Sequence, residues 1–294
     1  MRVGLIFGLC ACLLFGALGG ACARTTSVSY QKKKILGLPV HVITVDLNDP
    51  EVKVTTALAR GGLGKSERFG ALINRVHPAA AITGTFFDTR SLMPIGDIVV
   101  AGQMLHQGMV GTGVAFTRDN QVDFVPLRDG RDANWAQYEA VLCAGPWLVK
   151  DGVRTVHPRD EGFRDRSLYA LRQRAAIGVT AQNKLLLITI PRGVYYTHVS
   201  KVMKALGAVN ALGLDGGSST ALSLRGRIIS KPSRRLTNVL LVYDKPWRYE
   251  SAVARGRLAP QIRESEPTVL PLEMLTEPEG ENPGGAPSDL APTS

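Results

Sequence analysis

The sequence predicts an α+β fold, a single domain in which a large, mostly antiparallel mixed sheet carries a few flanking helices. Short β-branched segments separated by turn signals follow one another from residue 40 to residue 242, a pattern typical of sequentially connected strands. The clearest helical periodicity lies between Thr197 and Leu206, where apolar residues recur at helical spacing and Gly207 follows as a C-terminal cap. Strands therefore outnumber helices in the predicted domain.

The first predicted strand is Val40–Leu47, and we expect Val52–Leu58 to pair with it across the turn Asn48–Pro50. A short helix is predicted between Arg68 and Val76. Further strands are predicted at Ile98–Ala101, Gly113–Thr117, Val122–Val125, Ala175–Thr180, Lys184–Ile190, Ala208–Leu214, Ser218–Leu224 and Val239–Val242.

Residues 1–23 have the layout of a secretory signal peptide, with an apolar run from Val3 to Leu18 followed by small residues. The segment Ala21–Ala23 predicts cleavage before Arg24, and a lipid anchor at Cys22 is the alternative. No membrane span is predicted, because the apolar run is shorter than the roughly 20 residues that cross a bilayer. We therefore expect a periplasmic or secreted protein.

Residues 251–294 are rich in Pro and Glu without apolar periodicity, so they are predicted to be a disordered tail after a domain at 24–250. The formal net charge of the chain is +10, and the tail has three Arg against seven acidic residues. The predicted domain is thus strongly basic, which favours anionic partners. Nucleic acid is not predicted, because no basic helix interleaved with aromatic residues is present.

The cysteine and histidine residues indicate neither a disulfide framework nor a metal site. Cys143 is the single cysteine of the predicted domain, and its apolar neighbours indicate a buried side chain. The five histidines lack ligand spacing. Neither a metal ion nor a cofactor is predicted.

Two polar segments could carry chemistry. Asp215–Thr220 places a carboxylate on a glycine turn before three hydroxyl residues, and the alternative interpretation is an ordinary hairpin turn. Thr83–Asp88 leads from small residues into two phenylalanines and a carboxylate, and Pro94–Asp97 follows shortly after.

Five segments, taken in order, resemble the phosphodiester glycosidase family over about Val40 to Val242. They are Thr83–Asp88, Pro94–Gly96, Gly145–Pro146, Arg174–Gly178 and Asp215–Ser219, with Arg234 and Asn238 at the positions of a late Arg–Asn pair. Thr83 stands where the family usually has Asn.

The resemblance implies hydrolysis of a sugar-1-phosphodiester at the sugar C1–O bond. It implies Asp215 as the carboxylate at C1, Asp88 or Asp97 for water activation, and Arg174 with Arg234 as a phosphate clamp. The remaining substrate-binding residues that we expect are Gly216, Gly217, Ser218, Ser219, Thr83, Gly84, Thr85 and Asn238.

The expected partner is a phosphodiester-linked glycan of the cell envelope. Two other functions stay open on the sequence: a phosphodiesterase with a metal ion gathered by Asp88, Asp97 and Asp215, and a non-enzymatic protein of glycan binding or exopolysaccharide assembly.

Overall fold

The computed structural model describes residues 26–127 and 133–259. Within them the chain forms strands and three α-helices, and the α+β class is confirmed. The strands are β1 Val28–Ile35, β2 Leu38–Asp46, β3 Lys53–Leu58, β4 Ala80–Thr83, β5 Ile98–Val100, β6 Gln103–His106, β7 Thr112–Phe116, β8 Val122–Pro126, β9 Ala140–Ala144, β10 Trp147–Lys150, β11 Val153–Arg154, β12 Arg172–Thr180, β13 Lys184–Val194, β14 Ala208–Leu214, β15 Leu222–Leu224, β16 Arg227–Ser230 and β17 Asn238–Tyr243. The helices are α1 Phe69–Val76, α2 Tyr196–Ala205 and α3 Pro246–Ala254.

The strands divide among three sheets in place of one large sheet. Their orders are β1-β2-β13-β12-β14-β10-β11, β16-β15-β4-β17-β3 and β6-β5-β9-β7-β8. Each strand pairing in the described residues is antiparallel.

The central strands of the seven-stranded sheet are buried on both faces. Leu185 and Leu187 of β13 point into the main core shared with the five-stranded sheets, whereas Leu186 and Ile188 join the cluster under α2. Because alternate side chains of a strand point to opposite faces, a continuous apolar run is what a strand buried on both faces requires. The helix α2 covers the outer face with Val199, Val202 and Met203, so the helix predicted from its periodicity is confirmed.

The predicted pairing of the first two strands is wrong. Strand β2 pairs with β1 and β13, and β3 pairs with β17 in another sheet. The true hairpin partner, β1, holds the exposed run Lys32–Lys34 and has no alternation of buried and exposed residues that would indicate a strand. Proximity along the chain did not decide the pairing, because β3 finds its apolar partners in the β17 sheet.

The domain boundary predicted after Glu250 falls inside α3 and is corrected. Tyr249 and Ala252 of this helix are buried, and Leu258 beyond it packs into the main core at 2% exposure. The Leu258 carbonyl also accepts a hydrogen bond from the Leu58 amide. The domain thus continues to the last described residue, 259, and both the leader and residues 260–294 of the predicted tail lie outside the described residues. None of the helices in the described part is long and apolar enough to cross a membrane.

Candidate active site

The segment Asp215–Thr220 is a crossing between two sheets. Strand β14 belongs to the seven-stranded sheet, and β15 pairs with β16 and β4 in a different sheet. The hairpin interpretation is therefore wrong. Between the two strands the chain forms a short 3-10 helix, Gly217–Ser219, at the edge of a cleft.

The cleft has a volume of about 500 Å³. Three carboxylates and four guanidinium groups line it beside phenylalanine rings, a composition that suits an anionic substrate with an apolar wall. The charged lining residues are Asp88, Asp165, Asp215, Arg164, Arg172, Arg174 and Arg234.

Asp215 is held in a desolvated position at the end of β14. Its amide donates to the carbonyl of Gly84 at 3.1 Å, which ties the two polar segments together. Burial raises the pKa of Asp215 to about 6, although Ser219, Arg234 and the Gly216 amide pull it down. Near neutral pH the carboxylate is therefore largely ionised but poised to take a proton.

The two glycines after Asp215 fit a backbone that approaches its neighbours closely. A Cβ on Gly216 would lie 2.8 Å from the carbonyl oxygen of Gln173, and Gly217 has φ +58°. Both glycines line the cleft, and so does exposed Ser218. Ser219 is buried at 1% exposure, and its hydroxyl oxygen makes no hydrogen bond of normal geometry.

Asn238, at the start of β17, fixes the segment after β4. Its Oδ1 accepts the Thr85 amide at 2.7 Å, and a Cβ on Gly84 would lie 1.8 Å from that same oxygen. Thr83, Thr85 and Asn238 are at most 2% exposed and do not line the cleft. These three residues and Gly84, which we expected to bind substrate, instead position the backbone beneath the cleft.

Asp88 reaches the cleft at its exposed rim. Its Oδ1 accepts hydrogen bonds from the amides of Arg90 and Ser91 and from the Ser91 hydroxyl. The amide and hydroxyl of Ser91 are the main causes that lower the pKa of Asp88. The group is therefore an ionised turn cap that leaves Oδ2 outside these contacts.

The structure contradicts the catalytic assignment of Asp97. The residue is 2% exposed, and its carboxylate accepts from the indole of Trp135 at 2.6 Å and from the Gly108 amide at 2.7 Å. Asp97 is not among the residues that line the cleft. Its hydrogen bonds join the Trp135 and Gly108 segments to the start of β5.

Arg174 lines the cleft but does not present the predicted bidentate fork. Its Nη2 donates to the carbonyls of Ser167, Leu168 and Ala170, and its Nε donates to that of Val194. The guanidinium also lies 4.0 Å from the ring centroid of Tyr196. Because these donors are consumed by backbone, the side chain braces the loop that precedes β12.

Two other arginines are better placed for an anion. Arg234 stacks on the Phe87 ring at 4.4 Å, and its positive charge lowers the pKa of Asp215. The Cδ of exposed Arg172 is 3.4 Å from where a Cβ on Gly217 would stand. Neither guanidinium forms an ion pair with a carboxylate of the described residues.

A model of the phosphodiester glycosidase domain matches residues 77–243. The chain belongs to the phosphodiester glycosidase family. Membership confirms the resemblance seen in the motifs and indicates a hydrolase of glycosidase type. No curated protein sequence matches the chain.

Solved structures similar to this phosphodiester glycosidase domain share its fold at low identity. A hypothetical protein from Synechocystis has a TM-score of 0.66 and 17% identity over 74% of this chain, which spans only 62% of that protein. The zebrafish N-acetylglucosamine-1-phosphodiester alpha-N-acetylglucosaminidase catalytic domain, auto-inhibited by its pro-peptide, has a TM-score of 0.61 and 19% sequence identity. The match covers 75% of this chain and 85% of the zebrafish chain. A Burkholderia pseudomallei protein whose name proposes that it is exported has a TM-score of 0.54 and 16% sequence identity. The match covers 70% of this chain and 74% of the Burkholderia chain.

A loop that no sequence motif indicated also lines the cleft. Phe163, Arg164 and Asp165 line it, and Phe163 packs edge-on against Phe86 at 5.8 Å. The signal was a dense run of charges around Gly162, which resembles an ordinary solvated loop until the fold brings it to Asp215.

The carboxylates do not assemble into a metal-binding group. Among residues 26–127 and 133–259, no three His, Cys, Asp or Glu side chains come together as a metal site requires. Asp97, in particular, is bound to Trp135 and does not line the cleft that Asp88 and Asp215 share. The ligand set of the metal-dependent alternative is therefore not formed in the described part of the chain.

Proposed function

We propose that the protein is an exported hydrolase that cleaves the sugar C1–O bond of a sugar-1-phosphodiester in a cell-envelope glycan. One observation carries the proposal: the cleft holds a desolvated carboxylate, Asp215, beside guanidinium groups that form no ion pair with a carboxylate in the described part of the chain. A glycosidic carbon that gains positive charge and an adjacent phosphate that carries negative charge need these two features together.

The leaving group sets the demands on the carboxylates. A phosphomonoester has a second pKa near 6 and departs with little help from a general acid. Asp215 then acts on C1, either by stabilising the oxocarbenium charge or by attacking it. Its raised pKa is compatible with that role, because the group stays ionised at neutral pH.

The phosphate contacts are assigned to the open side of the Gly216–Gly217 turn. Arg234 and Arg172 would bind the phosphate oxygens through charge-assisted hydrogen bonds. The Gly217 amide would add a backbone donor, whereas the Gly216 amide already bonds to the Asp215 carboxylate. Arg174 acts one step away, since it holds the loop of residues 167–170 against β12. This assignment replaces the clamp expected from the motif.

Asp165 is our choice for water activation. It lines the cleft, and its negative charge contributes to the raised pKa of Asp215. Its Oδ1 caps the 3-10 helix Arg166–Tyr169 through the Ser167 amide at 2.7 Å, which fixes the carboxylate in place. Asp88 lines the same cleft and is the second candidate for this step.

The test is incubation with the methyl phosphodiester of N-acetylglucosamine-1-phosphate in H₂¹⁸O, with and without a chelator. Cleavage at C1 gives free N-acetylglucosamine that carries the label and an unlabelled methyl phosphate. Label in the phosphate would establish the phosphodiesterase instead. Tight binding of glycans without turnover would favour the non-enzymatic function.

Export is tested separately, because no contact of the described residues bears on it. Mass spectrometry of the protein recovered from the envelope fraction should show an N-terminus at Arg24. A diacylglycerol on Cys22 would establish the lipoprotein instead.

A further inference from the structure

A second groove lies at one end of the sheet that contains β4 and β17, and the cleft lies at the other end of that sheet. Strand β17 begins at Asn238 beneath the cleft and ends before Asp244, which lines the groove. Strand β4 runs antiparallel to it, with Pro78 on the groove side and Gly84 on the cleft side. Six residues of extended chain separate the two sites by about 20 Å.

Basic side chains dominate this groove of about 700 Å³. The lining cations are Arg225, Lys245, Arg248 and Arg257, and Asp244 is the lining carboxylate. Arg225 pairs with Asp244 at 3.3 Å and Lys245 pairs with Glu51 at 2.5 Å. Arg248 and Arg257 form no ion pair with a carboxylate of the described residues, so the groove keeps an excess of positive charge.

An exposed indole stands among these cations. Trp247 is 61% exposed in the first turn of α3, and the Arg248 guanidinium lies 5.2 Å from its ring centroid. The core does not need this indole, because α3 packs inward through Tyr249 and Ala252. A large aromatic ring left in water beside unpaired guanidinium groups is a typical anchor for a ligand.

We propose that this groove is an accessory binding site for an anionic polysaccharide segment. The indole stacks on the apolar face of a sugar ring, and Arg248 and Arg257 bind its carboxylate or phosphate groups.

Two other polyanions fit the groove less well. A membrane surface would need several protruding apolar side chains, whereas Trp247 is the one exposed large hydrophobic residue among the described lining. A single-stranded nucleic acid would need successive stacking platforms.

The accessory site goes beyond the proposed function. Its first test measures binding and does not require that the proposed hydrolysis takes place. Binding of oligogalacturonate and of phosphomannan fragments is measured by calorimetry on the Asp215→Asn protein, in which we expect turnover of substrate in the cleft to be at least about a hundredfold slower. Trp247→Ala and Arg248→Glu, each added to that protein, should weaken binding of the anionic glycan at least about tenfold. Lys201→Glu, the same charge change on exposed α2, should leave it unaltered, and dextran should not bind.

The groove assignment is overturned if neither anionic glycan binds, or if the two groove variants bind as the parent does. It is also overturned if phosphatidylglycerol vesicles or an oligothymidylate compete at the same residues. Melting temperatures of the variants, whose changed side chains are both exposed, show whether any loss reflects unfolding.

A kinetic readout links the groove to the cleft. In the protein with Asp215 intact, the groove variants should raise KM for a polymeric substrate and leave kcat and the constants for the methyl phosphodiester unchanged. Equal effects on the small and polymeric substrates would show that the substitutions disturb the cleft. Absence of turnover in the parent protein would refute the proposed function and leave the binding result standing.

Discussion

Asp215→Asn is expected to abolish most activity while making the folded protein more stable at neutral pH. The replacement keeps the shape of the side chain and its hydrogen-bond acceptor but removes the negative charge from a desolvated position. We expect kcat to fall at least about a hundredfold, the scale of a lost catalytic acid or base.

The gain in stability follows from the pKa of Asp215. Its folded-state value is about 6, against an ordinary value of 3.8. A carboxyl whose pKa is raised on folding costs stability wherever it is ionised in the folded state. The cost is complete above pH 6, shrinks as pH falls, and vanishes below 3.8. A shift of this size is on the order of 3 kcal/mol.

The assay combines kinetics and thermal unfolding across pH. The wild-type kcat/KM should fall below pH 6 as Asp215 takes up a proton. The Asp215→Asn protein should melt several degrees higher than wild type at pH 7.5, with the difference closing near pH 4. Normal kinetics in this variant, or a melting temperature below that of wild type at pH 7.5, would refute the role we assign to the carboxylate.

Three further predictions concern the rest of the site and the contacts that support it. Arg172→Ala should raise KM for the methyl phosphodiester and leave the melting temperature unchanged. Arg174→Lys should lower the melting temperature, because it loses donors to four backbone carbonyls. The reverse result would restore Arg174 as the phosphate clamp. Gly84→Ala should destabilise the fold by about 1–3 kcal/mol, measured by urea unfolding, because its Cβ meets the amide oxygen of Asn238; an unchanged midpoint would contradict the close approach. Ending the chain after Glu250 should lower the melting temperature strongly, since it removes the buried core residue Leu258. A chain that ends at residue 259 should melt as the full chain does. Equal stability of the two truncated proteins would show that the end of α3 is dispensable.

Much of the site could be found from the sequence, because its residues lie in short motifs at turns. Asp215, Gly216 and Gly217 line the cleft as the motif predicted, and Arg234 lies beside them. Motif membership did not say which of these residues face solvent. Thr83, Thr85 and Asn238 belong to the same motifs but are buried, since a tight turn needs supporting contacts as much as it needs exposed groups.

The residues that the sequence missed have only ordinary local patterns. Asp165 caps a short helix and Arg172 begins a strand, so neither differs locally from a surface residue. Asp97 gave the opposite error: a carboxylate after a glycine suggested chemistry, and its partner Trp135 is 38 residues away. Long-range contacts of this kind leave no local signal.

The sequence alone determined the fold class, the α2 helix and the position of the Asp215 turn, because each is encoded in the periodicity or spacing of neighbouring residues. The family was indicated by the resemblance of five ordered motifs. Only the tertiary structure decided how the strands divide among three sheets and which charged side chains share the cleft. It also assigned residues 251–259 to the domain, where Leu258 meets the core. Burial and electrostatic neighbours depend on contacts between residues far apart in the chain, and these contacts separate Asp215 in its cleft from Asp97 against Trp135.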